Sequence, residues 1–169
     1  MPDAKSHLEH ALHNLRFLES FYGSHLFNDW SITVAFYSSV HLIEHVVAKL
    51  KRLNWQGKTI EGIEHSDQLP AFAEKNGLRR PNGLKIDTKS QHVLRNLIVE
   101  ASDEFKEKSD YYISLYKKSR QSRYYQHSWT NQEAEMIMKL LFIPFLKWLN
   151  TTHDTRIPIP FRSGENKTN

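Results

Sequence analysis

Two guanidiniums and an imidazole fall within nine consecutive residues, Ser119-Arg120-Gln121-Ser122-Arg123-Tyr124-Tyr125-Gln126-His127. Arginine is a permanently charged, forked donor that matches phosphate oxygens. Histidine moves protons near neutral pH. No carboxylate pair and no cysteine stands beside them, so the chemistry they suit is cleavage of a phosphodiester without a metal. Arg120 and His127 are spaced as R-x6-H. Lys117 and Lys118 add positive charge, and Tyr124, Tyr125 and Trp129 offer rings on which unpaired bases stack. A plainer reading stands beside this one: cations favour a helix C-terminus through its dipole, and a tyrosine can simply be core.

Two further constellations could carry chemistry. His41-Leu42-Ile43-Glu44-His45 matches H-x-x-E-H, in which histidines at i and i+4 share a helix face and can share a zinc. Glu44 would then activate the metal-bound water. That class needs a third protein ligand and a larger mixed scaffold, so His41 and Glu44 are read as polar groups in a helix groove. His7, His10 and His13 recur along the first helix, where a wet face is the simpler reading than a metal. No metal or other cofactor is expected.

These residues sit on predicted helices. Ser6-His7-Leu8-Glu9 reads as a capping box opening a helix that runs to about Tyr22, with Gly23 ending it. Asn28 or Asp29 caps a second helix to about Leu50. It is apolar around most of its circumference and so belongs at the centre of a bundle. Asn54 to Gln68 reads as a connection, followed by a short helix from Ser66 to Lys75 and a loop from Gly77 to Gly83. Thr88 to Gln91 reads as a second capping box. The helical pattern after it breaks across Ser102 to Asp110 and resumes to Ser119. Thr130-Asn131-Gln132-Glu133 opens the last helix, which Pro144 should kink.

The pattern predicts an all-α fold, an up-and-down bundle of four main helices plus a short fifth. Residues 1–150 form the helical domain, and 151–169 an extended tail that crosses the surface and frays. The chain has 169 residues, 39% hydrophobic and 25% charged, which suits one soluble domain. It has no cysteine, which excludes disulfides, thiolate zinc sites and cysteine nucleophiles. No apolar run reads as long enough to span a bilayer, and the N-terminus lacks a signal-peptide stretch. A cytoplasmic protein with no membrane partner is expected. The net charge of +4 permits a polyanion partner.

Taken together, these motifs resemble the HEPN superfamily (higher eukaryotes and prokaryotes nucleotide-binding). Its mark is R-x4-6-H at the junction of the last two major helices, matched here by Arg120 and His127. The order Asp29-Trp30, Phe36-Tyr37, His41, His65-Ser66, Leu115-Tyr116, Ser119-Arg120, Arg123-Tyr124 is similar to a small prokaryotic branch of that superfamily. The resemblance implies an all-α homodimer acting as a metal-independent endoribonuclease, possible in a toxin or defence role. The RNA 2′-hydroxyl would attack its own phosphorus, leaving a cyclic phosphate and a 5′-hydroxyl. His127 would serve as acid or base and Arg120 would stabilise phosphorane charge. Arg123, Lys117, Lys118 and Tyr124 would bind phosphate, with Asp29, Tyr37, His41 and Glu44 orienting the arginines behind them. The alternative is a non-catalytic HEPN module that binds nucleotide, RNA, a cognate antitoxin or another protein encoded beside it.

Overall fold

The first helix of the computed structural model is set by a carboxylate that the capping-box reading passes over. Asp3 Oδ1 accepts from the Ser6 amide at 2.8 Å, so α1 spans Ala4–Tyr22 and Ser6 lies inside it. The structure describes residues 2–125 and 128–161. Helix α2 (Asn28–Leu50) has the predicted range but takes no side-chain cap from Asn28 or Asp29. Both residues are spent elsewhere. Asn28 Nδ2 donates to the Trp129 carbonyl and Asp29 Oδ1 accepts from the Trp129 amide, tying the start of α2 to the segment before the last helix.

α2 is the central helix, as its apolar circumference predicts. Ile32, Ala35, Phe36, Leu42, Ile43 and Val46 are fully buried in it. Its serines return their hydroxyls to the helix: Ser38 and Ser39 donate to the carbonyls of Val34 and Ala35. By length and composition α2 could cross a membrane, a match the run-length reading did not anticipate, but its surface is covered by neighbouring helices. It packs against α1, α4 (Gln91–Ala101), α5 (Ser109–Tyr124) and α6 (Asn131–Ile137).

A small β-hairpin adds to the mainly α fold. β1 (Arg52–Trp55) pairs antiparallel with β2 (Lys58–Glu61) around a two-residue turn, Gln56 and Gly57, both at positive φ. With only four residues per strand, alternation is too short to register, although Leu53, Trp55 and Ile60 all face the core. The Glu104 carboxylate receives the Asn54 amide and side chain, docking the hairpin beneath the end of α4. A 3-10 turn, Ser66–Gln68, then leads into α3 (Leu69–Asn76).

The predicted break after α4 exists, with a 3-10 turn at Lys106–Lys108 before α5. Thr88 does not cap α4; its hydroxyl accepts from the Ser90 amide instead, and Ser90 is the cap residue. Thr130 and Glu133 do form the reciprocal box that opens α6. A π-helical turn, Met138–Phe142, joins α6 to α7 (Ile143–His153), so the amide missing at Pro144 falls at the seam between them. The described part of the segment beyond α7 packs on the helical domain. Asn150 clamps Ile157 through both its amide and its carbonyl, Ile157 is buried, and Phe161 packs on Tyr22 with ring centroids 4.0 Å apart. Replacing Thr130 with alanine should lower stability by about 1 kcal/mol, read from urea denaturation. A smaller loss than from Thr88→Ala would put the working cap in the wrong place.

Candidate functional site

Arg123 sits near the last turn of α5 and turns back onto α2. Its Nη1 donates to Tyr37 Oη at 2.8 Å and its Nε to the Ser119 carbonyl at 3.3 Å. The guanidinium lies between two rings, 5.3 Å from the centroid of Tyr37 and 5.0 Å from that of Tyr124. Tyr37 is thus in direct contact with Arg123 through both its hydroxyl and its ring. Arg120, one turn earlier and exposed, stacks over Tyr116 at 5.9 Å. Lys118 lies over the Trp129 ring at 4.9 Å, while Lys117 is exposed. His127 lies outside the described residues.

A histidine that sequence reasoning passes over completes this cluster. His92, at the start of α4, is half-buried among Phe36, Tyr37 and Tyr116. Burial, followed by the positive fields of Arg95, Arg123 and Arg120, holds its pKa below the ordinary histidine value. Arg95 Nη1 lies 3.4 Å from His92 Nδ1. A guanidinium can only donate, so Nδ1 accepts and the neutral ring keeps its proton on Nε2. The result is a neutral donor flanked by three guanidiniums.

Behind His92 lies a buried ion pair. Arg95 Nε meets Glu44 Oε1 at 2.5 Å, and Arg95 Nη2 donates to Gln91 Oε1 at 3.1 Å. The Ser66 hydroxyl also donates to Glu44 Oε1, and the Ser66 amide donates to Oε2 at 3.0 Å. Glu44 thus does not orient Arg120 or Arg123; its charge belongs to Arg95. Asp29, bonded to the Trp129 amide, fixes the chain before α6 rather than an arginine.

His41 belongs to a second group, on the α1 side. Its ring stacks on His10 at 5.0 Å, and its Nδ1 lies 3.5 Å from His7 Nδ1. Burial and the fields of His10, His7 and Arg95 hold His41 down to about 4. His45 is turned away, its Nδ1 at 2.7 Å from the Ala4 carbonyl, so the H-x-x-E-H pentapeptide does not form one metal face. His13 is exposed and takes no part.

A surface cavity of about 580 Å³ lies between α3 and the loop ending at Asp87 and includes none of these groups. The candidate site is the surface where α2, α4 and α5 bring Tyr37, His92, Arg120 and Arg123 together. No family model, curated protein or solved structure matches this chain.

Two predictions follow from the buried charges. Glu44→Gln or Arg95→Met should each cost about 3–5 kcal/mol in urea denaturation, because the partner charge is left buried alone. The double variant should cost less than the two single losses added. Stability should also depend on acid. The unfolded chain binds protons at its histidines below 6.5, whereas folded His41 resists until about 4. Stability is therefore full above pH 6.5 and falls as pH drops toward 4. Thermal melts should show that decline, and His41→Leu should flatten it.

Proposed function

We propose that this chain is an RNA-binding protein that cleaves the phosphodiester backbone through its own 2′-hydroxyl, without a metal. The observation that carries the reading is Arg123, braced by Tyr37 and Ser119 beside a neutral His92 and an exposed Arg120. A pre-positioned guanidinium loses little freedom when it meets a phosphate, so its interaction can strengthen as phosphorane charge develops. Arg123 Nη2, the Arg120 fork and His92 Nε2–H form the anion cradle. Tyr124, 64% exposed, supplies a face for stacking an unpaired base. The R-x6-H spacing assigns proton transfer to His127, as general base or acid.

The same reading takes α1, α2, the α4–α5 segment and the continuous α6–α7 helix as the four staves of an up-and-down HEPN bundle. It expects a cytoplasmic homodimer whose two sites face one strand, with a cognate antitoxin or neighbouring-gene protein as a further partner. Exposed Tyr125 and the Lys117–Lys118 pair would extend the RNA track beyond the reacting phosphate.

The test is cleavage of unstructured RNA in EDTA. Arg120→Ala and Arg123→Ala should reduce cleavage by about 100-fold or more. His127→Ala should reduce it by about 100- to 10,000-fold while leaving RNA binding intact. His92→Ala should weaken binding more than turnover. An oligonucleotide with deoxyribose at the scissile position should bind and resist. RNA binding without cleavage by the parent chain would reduce the protein to a non-catalytic HEPN-like module. Failure to bind RNA would overturn the site.

A further inference from the structure

On the far side of the Glu44–Arg95 pair from His92, three ligand-bearing side chains converge from three parts of the chain. His7 comes from α1, Glu44 from α2, and His65 from the residue before the 3-10 turn. A ring nitrogen from each histidine and a Glu44 oxygen all lie within 4.8 Å of one another, and all three side chains are buried. His7 Nε2 is shut away from solvent and has no hydrogen-bond partner among the described residues. A buried imidazole nitrogen without a partner costs free energy that the fold ordinarily recovers through a hydrogen bond or a bound ion.

The lone pairs point the same way. His65 Nδ1 lies 2.8 Å from Asp67 Oδ1 and 3.4 Å from the Asp67 amide. The shorter contact decides the proton: Nδ1–H donates to the carboxylate, leaving the Nε2 lone pair free. That lone pair stands 3.7 Å from Glu44 Oε2, so an acceptor confronts a carboxylate oxygen. The two repel unless a cation, either a proton or a metal ion, lies between them. A carboxylate holding the outer nitrogen of an imidazole is also the arrangement found behind metal-bound histidines. Glu44 is oriented in its turn by Arg95 and both donors of Ser66.

We propose that His7, Glu44 and His65 form a binding site for one zinc-class divalent ion, which locks α1, α2 and the segment after the hairpin together. Two imidazoles and one carboxylate are a known three-ligand set for zinc. Zinc–nitrogen bonds of about 2.0–2.1 Å put neighbouring ligand atoms about 3.3 Å apart in a tetrahedron. The ligand atoms, now at most 4.8 Å apart, reach that spacing by small ring rotations. The ring centroids of His7 and His65, 5.4 Å apart, leave room for an ion between their nitrogens. His41, whose Nδ1 is 3.5 Å from that of His7, meets the other nitrogen of that ring and lies outside the three-ligand group, so water takes the fourth position. The site does not depend on RNA binding: metal uptake and cleavage in chelator are separate measurements, and either can fail without the other.

The experiment uses the full chain stripped with chelator and dialysed free of it. Zn²⁺ is titrated against a chromophoric competitor, and Co²⁺ is followed by its visible d–d absorption. One equivalent per chain and the strong absorption of four-coordinate Co²⁺ are expected, with a melting temperature raised by Zn²⁺. His7→Ala and His65→Ala should each weaken Zn²⁺ binding at least tenfold, whereas His13→Ala should bind as the parent does. X-ray absorption of the zinc-loaded parent should show imidazole ligands, a readout that holds even if a variant does not fold. Uptake below half an equivalent would overturn the proposal and leave a proton between His65 and Glu44. Unchanged binding in both folded histidine variants would overturn it as well.

Discussion

One buried ion pair, Glu44 with Arg95, organises the polar groups where α2, α4 and the 3-10 turn at Ser66 meet. Taking a carboxylate and a guanidinium out of water costs more than their attraction returns unless further hydrogen bonds complete each group. The chain supplies them from several directions. Ser66 gives Glu44 two donors, while Gln91 and His92 give Arg95 two acceptors. The pair joins α2 to α4, and through Ser66 it pins the 3-10 turn against both. A substitution there would disturb three elements at once.

Burial, more than the pair's own fields, holds the pKa of the neighbouring histidines down. Arg95 contributes a positive field at His7, His41 and His92, and burial acts in the same direction at each. A neutral imidazole can accept a proton, donate through one nitrogen, or ligate a cation; a protonated one can only donate. The fold thus holds three imidazoles ready for use at neutral pH. His92 faces the arginines of α5, whereas His7 and His41 face the side of Glu44 away from them. Arg95 separates an anion-seeking surface from a cation-seeking cluster.

Features that depend on one local segment were legible in the sequence, and features that depend on distant partners were not. The central place of α2 follows from its own apolar circumference, and the Thr130–Glu133 box is complete within four residues. Tyr37 was read from its helix face as a residue behind the arginines, but its bond to Arg123 spans 86 positions and was not legible. The partner of Glu44 was not legible either, since nothing in a helical repeat reveals which buried carboxylate meets Arg95 across 51 positions. His92 was missed for the same reason: alone it is one of ten histidines, and only the convergence of α2, α4 and α5 brings the guanidiniums to it. Asp3 was passed over as the cap of α1 because its bond to the Ser6 amide shows only in the backbone geometry. The Pro160 end of the chain read as loose because two prolines forbid a helix, although Asn150 gives that stretch a partner of its own.

The three arginines of the candidate site differ in how many donors the protein leaves each of them. Arg95 commits Nε to Glu44, one Nη to His92 and the other to Gln91, and it is buried. It can shape the potential of the site but cannot follow a ligand. Arg123 spends Nε and Nη1 inside the protein, leaving Nη2 without a partner among the described residues. Among the described residues Arg120 meets only the Tyr116 ring, and none of them takes a hydrogen bond from its fork. The three guanidiniums therefore form a gradient from fixed to free across the site. A phosphate arriving there would meet the mobile arginine first and the braced one second. The buried one would tighten both contacts through its field without giving up any bond.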